Sequence, residues 1–193
     1  MGCAMSSIFV VDTSVYSQTL NNLSLDVFPE IYEPWSLGMT DGTIISVDEV
    51  YRELDARYGS EAKPAKGKKD TRTKEAKWLK QHKDAFLPMT ADEGNIVAEI
   101  FKNKKFREGV KEKSLRLGTP EADAILVAKA KCSGGIVVTA ESNKKPNAEK
   151  IPNICVAFGL SYITKDDFHR VLKNLSSKQP ALKNVTVLTA LQV

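Results

Sequence analysis

Residues 8–14 read Ile8-Phe9-Val10-Val11-Asp12-Thr13-Ser14, four consecutive apolar residues stopped by a carboxylate and two hydroxyls. An apolar run this short, ended by polar residues, is the pattern of a parallel strand buried on both faces. Outward from it the pattern recurs at Ile44–Val47, Ile136–Thr139 and Leu160–Ile163. Helical periodicity fills the gaps. Val47–Tyr58 places Val47, Val50, Tyr51 and Leu54 on one face, and Thr90–Phe106 does the same with Ile96, Val97, Ile100 and Phe101. Thr119–Lys131 opens with Thr119 as N-cap and Pro120 at the first helical position, then runs almost wholly apolar. Lys165–Leu175 reads as a last helix that packs Phe168, Val171 and Leu172. Strand–helix alternation predicts an α/β fold: a three-layer α/β/α domain around a central, mainly parallel sheet.

The 193 residues suffice for one sizeable core. We read residues 1–175 as that domain and 176–193 as a C-terminal extension, with Ser176–Pro180 a linker and Val185–Val193 strand-like in composition. Ala62–Thr73, rich in lysine and without a large apolar residue, reads as a loop between two helices. No apolar run reaches the ~18–20 residues of a membrane span. The N-terminal apolar run is too short, and too poor in basic flanks, for a signal peptide, so the expectation is a cytoplasmic protein without membrane contact. Met1–Ser6 matches the loose myristoylation pattern, but a core strand follows almost at once. Three scattered cysteines suit neither a disulfide framework nor a zinc site. No glycine-rich phosphate loop occurs; Gly134-Gly135 reads as a helix-to-strand turn. His82 and His169 lie in polar segments without ligand spacing and read as surface residues.

Ligands of open α/β sheets gather beyond the carboxyl ends of the strands, so acids there are site candidates. Asp12 ends the first strand, and Glu49 and Glu53 follow the second on one helix face. Glu121 and Asp123 open the apolar helix, and Glu141 follows the strand Ile136–Thr139. Singly, each has an ordinary explanation: a turn or cap for Asp12, an ion pair with Arg57 for Glu53, a helix-dipole partner for Glu121. Together, convergent carboxylates repel one another unless a hard divalent cation neutralises them, and oxygen ligands suit Mg²⁺ or Mn²⁺. Such a site can polarise a phosphodiester and activate water.

The ordered set of segments resembles the PIN-domain ribonucleases, most closely a toxin-type branch of PIN-like proteins, from about Ile8 to Leu172. It consists of Phe9-Val10-Val11-Asp12-Thr13-Ser14, Ile45–Leu54, Phe86-Leu87-Pro88-Met89-Thr90, Glu121–Ala130, Val137–Glu141 and Lys150–Cys155. The resemblance implies a magnesium- or manganese-dependent endoribonuclease with Asp12, Glu53, Asp123 and Glu141 as the catalytic acids. Asp12, Asp123 and Glu141 would ligate the metal, with Ser14, Glu49 and Glu121 in support. Glu49 and Glu53 compete for the second-acid position. Glu141 stands where typical members hold Asn or Asp, and the usual following Asp-Phe is replaced by Ser142-Asn143-Lys144-Lys145-Pro146. By the same analogy the chain would be the toxin of a toxin–antitoxin pair, with an antitoxin protein or a second copy as partners.

Charge alternates in blocks, net −7 over residues 1–59, +6 over 60–83, −4 over 84–101 and +5 over 102–116. Basic stretches flanking an acidic pocket would hold an RNA backbone through Lys66, Lys68, Lys69, Lys104 and Lys105. The rival explanation of these charges is a set of solvated faces. The rival function is a PIN-like module that binds RNA or protein without cutting. A haloacid-dehalogenase-type phosphatase would need an acid two positions after Asp12, where Ser14 stands.

Overall fold

The computed structural model describes residues 7–62, 70–104, 106, 122–142 and 150–176. Strands β1 (Phe9–Val11), β2 (Ile44–Val47), β3 (Phe86–Leu87), β4 (Ile136–Thr139) and β5 (Tyr162–Thr164) form one all-parallel sheet in the order β3-β2-β1-β4-β5. Val10 pairs with Ile45 on one side and Val137 on the other, and Thr139 pairs with Thr164. The chain thus builds one half of the sheet from β1 through β3, then returns to the other side of β1 with β4. β1 and β2 are buried at every position, as strands covered on both faces must be.

Among the described residues the helices are α1 (Thr13–Asn22), α2 (Pro29–Asp41), α3 (Asp48–Tyr58), α4 (Lys74–Gln81), α5 (Ala91–Lys102), α6 (Ala122–Ser133), α7 (Ile151–Ala157) and α8 (Lys165–Ser176). They complete a three-layer α/β/α arrangement. One layer is aromatic: the Trp35 ring of α2 lies 5.0 Å from Tyr16, 5.6 Å from Trp78 and 5.3 Å from Phe168. Gly38 lets α2 lie close on β2, since a Cβ there would meet Ile44 Cδ1 at 2.6 Å. In the other layer α6 packs against α5 and α7. It buries Ala124–Ala130 on every side, as its apolar sequence predicts.

Several boundaries differ from the periodicity reading. α1, α2 and α4 are not evident from it, and β5 begins at Tyr162 rather than Leu160. Thr90 caps α5 with Glu93 in a reciprocal capping box, but the helix stops at Lys102, before Phe106. The expected turn at Gly134-Gly135 is present, with Gly134 at φ +64°. Thr119, Pro120, the loop lysines and residues 177–193 lie outside the described residues.

Both histidines correct the surface assignment. His82 is buried against Trp78, with their rings 5.1 Å apart. His169 is half-buried beside Trp35, and its Nε2 lies 3.1 Å from Thr19 Oγ1. Their polar sequence neighbours point outward, while α4 and α8 turn these two rings toward the aromatic layer. Burial lowers the pKa of both, that of His169 to about 4 with help from the Lys165 charge.

Candidate active site

The sheet reverses its winding direction between β1 and β4, so their carboxyl ends open side by side. Asp12 follows β1 directly and is 5% exposed. Its backbone carbonyl accepts the first amides of α1, from Val15 and Tyr16, but its side chain makes no cap bond. The carboxylate therefore does not serve the ordinary role an acid has at this position. Instead its Oδ2 accepts from Ser14 Oγ and, at 3.1 Å, from Thr139 Oγ1 at the end of β4.

The two hydroxyls are themselves held by backbone. Ser14 Oγ accepts from the Ala140 amide and Thr139 Oγ1 from the Glu141 amide, both at 3.1 Å. Ser46 Oγ donates to the Val11 carbonyl at 2.6 Å, pinning the end of β1 from the β2 side. Thr13 donates to Glu53 Oε2 at 2.6 Å, which ties α3 to the residue beside Asp12. Glu141 Oε2 accepts the Ile151 amide at the start of α7 at 3.0 Å.

Electrostatically, Asp12 is pushed up to about 7, first by burial and then by the charges of Asp123 and Glu141. The Ser14 and Thr139 hydroxyls oppose that rise by bonding the ionised form. The charges of two other predicted acids, Asp123 and Glu141, therefore reach Asp12 across this edge of the sheet. Among the described residues, however, no three His, Cys, Asp or Glu side chains stand together as a ready metal-ligand set. Glu141 Oε2 accepts from the Ile151 amide and Glu53 Oε2 from Thr13.

Glu53 is linked through Thr13 to the Asp12 segment and not to Arg57 as an ion-pair reading would have it. Glu49 lies 3.4 Å from Arg52, and its Oε2 is buried without a hydrogen-bond partner. Glu121, Lys66, Lys68, Lys69 and Lys105 lie outside the described residues; Lys104 is exposed. Sequence reasoning missed Thr13 and Thr139. Their signal was a hydroxyl beside each strand-end acid, which gains meaning only once β1 and β4 are known to be neighbours.

Away from this edge, Lys129 of α6 forms a buried ion pair with Glu93 at 2.8 Å and also donates to the Pro88 carbonyl at 2.9 Å. No described helix is long and apolar enough to cross a membrane.

Residues 9–174 match the family described as a domain of unknown function, DUF4411. No curated protein matches the chain. Among solved structures, that of PAE2754 from Pyrobaculum aerophilum is similar at 15% identity, covering 88% of this chain and 98% of that one with a TM-score of 0.45.

Proposed function

The chain belongs to the DUF4411 family, and we propose that it is a divalent-metal-dependent endoribonuclease that hydrolyses phosphodiester bonds in single-stranded RNA. One observation carries the reading: Asp12 is buried at a strand end, within reach of the charges of Asp123 and Glu141, with hydroxyls as its hydrogen-bond partners. A carboxylate in that position is costly unless a cation joins it. The donors are all oxygen, the ligand type Mg²⁺ and Mn²⁺ prefer, so the residues suit such an ion. Asp12, Asp123 and Glu141 would hold it. Bound there, such an ion would polarise the scissile phosphodiester and neutralise the leaving oxygen.

The protein's own residues have distinct tasks. Ser14 and Thr139 hold the Asp12 carboxylate in one rotamer, the part that supporting hydrogen bonds play around a ligand. Glu53, anchored by Thr13, orients the attacking water. That anchor favours Glu53 over Glu49, whose contact is with Arg52. Glu141, whose Oε2 accepts from the Ile151 amide, would complete the site with its other oxygen. RNA is the partner this reading requires, with the basic stretches around Lys66, Lys68, Lys69, Lys104 and Lys105 proposed to hold its backbone. An antitoxin and a second copy of the chain rest on the family resemblance alone.

The test is cleavage of an unstructured RNA with and without chelator, for the unaltered chain and for Asp12→Asn. Chelator should abolish cutting. Since partners that merely support a ligand cost ~10–100-fold when removed, Asp12→Asn should cost at least as much. Undiminished cutting by Asp12→Asn rejects the mechanism. The second reading, a binding module that does not cut, is favoured by the engagement of Glu141 with the Ile151 amide. RNA binding with no cleavage under any divalent ion would establish it.

A further inference from the structure

A cleft of 320 Å³ opens directly off the acids, because Thr139 and Glu141 belong to its wall as well as to the site. Further polar lining comes from Ser142 and Tyr162, from Gln18 of α1, and from Thr164, Lys165 and Asp166 where β5 passes into α8. Among the described residues that line it, Lys165 is the one base. Its side chain is 26% exposed and 3.8 Å from Asp166, whose own side chain is 73% exposed. At that separation the two attract but do not share a hydrogen bond, so the ammonium keeps its donors for a ligand.

This arrangement complements what the acidic edge lacks. A polyanion that presents a phosphodiester to Asp12, Asp123 and Glu141 is repelled by them. A cation in the adjoining cleft offsets that repulsion and fixes the strand's direction. The volume is at the lower end of the ~300–1,000 Å³ of small-ligand pockets, the scale of a single nucleotide. Gln18 offers a donor and an acceptor from one amide, which suits the edge of an unpaired base.

We propose that this cleft seats the nucleotide adjoining the scissile phosphodiester, with Lys165 holding its phosphate and Gln18 reading its base edge. The proposal rests on the ribonuclease reading of the neighbouring acids. Lys165 is a positioning residue and touches no reacting bond.

The experiment uses full-length Asp12→Asn protein, which keeps RNA intact, and fluorescent hexauridylate as the probe in Mg²⁺ buffer. Adding Lys165→Ala should weaken binding about tenfold, the loss of one charge-assisted hydrogen bond. It should also flatten the log–log salt slope by about 0.7, as expected for one lost phosphate contact on a single strand. Lys165→Arg should restore both, and Lys165→Gln serves if the alanine variant does not fold. In the otherwise unaltered chain Lys165→Ala should raise KM and leave kcat nearly unchanged, whereas Gln18→Ala should alter the preference among homopolymers. An unchanged affinity and slope overturn the proposal, as does hexauridylate binding too weak to measure in every chain. Lys165-dependent binding in a protein that cuts no RNA rejects the nuclease reading and retains the cleft. Normal cutting that ignores Lys165 rejects the cleft alone.

Discussion

Asp12 and Thr139 are 127 residues apart in the chain and 3.1 Å apart in the fold, hydroxyl to carboxylate. Their bond spans the junction where β4 returns beside β1, and it places the buried acid where the charges of Asp123 and Glu141 reach it.

The two hydroxyls on Asp12 should matter to cation binding more than to folding. Ser14→Ala and Thr139→Val each remove one hydrogen bond from its carboxylate, and such supporting contacts are worth ~10–100-fold in metal affinity. Mn²⁺ titration by calorimetry should show a loss in that range for each variant. Affinity within twofold of the unaltered chain would mean the hydroxyls do not orient a ligand.

Asp12 also sets a pH dependence. Its pKa rises from 3.8 to about 7 on folding, so the folded chain holds a proton that the unfolded chain releases. Metal-free stability should therefore fall as pH climbs from about 4 to 7, by a few kcal/mol at most given about 1.4 kcal/mol per unit. Asp12→Asn should remove that slope and melt higher than the unaltered chain at pH 8 in chelator. Cation affinity has the opposite trend, weakening below pH 7 as the proton competes for the site. Melting curves of the two proteins at pH 5 and pH 8 decide it, and parallel behaviour contradicts it.

His169 contributes on the acid side. Its pKa is lowered from 6.5 to about 4 by burial and by Lys165, so the unfolded chain takes up a proton first. The stability this gives is complete above the unfolded value and is lost as pH falls from about 6.5 toward 4. His169→Gln keeps a polar partner for Thr19 and should shrink the loss of Tm over that window. Unaltered acid sensitivity would show that the ring titrates freely in the folded chain.

The Lys129–Glu93 pair predicts an asymmetric double-mutant cycle. Removing one partner of a buried pair typically costs ~3–5 kcal/mol because the other charge is stranded. Urea melts of Lys129→Met should show a loss of that size. Adding Glu93→Gln should recover much of it, since the neutral amide no longer needs the ammonium. Simple additivity of the two losses would refute the coupling.

Much of the fold is legible in local pattern. The strands at Val10, Ile45 and Val137 announce themselves because a strand covered on both faces must be apolar throughout. Helix α6 does so because it is buried on nearly every side. Helix α2 is not legible: Pro29, Pro34 and Gly38 punctuate it, and burial of Tyr32, Trp35 and Met39 holds it together regardless. Strand β3, two residues long, is too short for a periodicity to register.

The candidate site divides along the same line. By itself the sequence determined which acids end strands or open helices, Asp12, Asp123 and Glu141 among them, because those positions follow from local hydrophobic pattern. Only tertiary structure decided that β4 lies beside β1, that Thr13 anchors Glu53, and that Thr139 bonds Asp12. It alone also decided that His82 and His169 turn inward. The physical reason is that a side chain's neighbours across a sheet or between layers are set by strand order and helix packing, and both depend on contacts far apart in the chain.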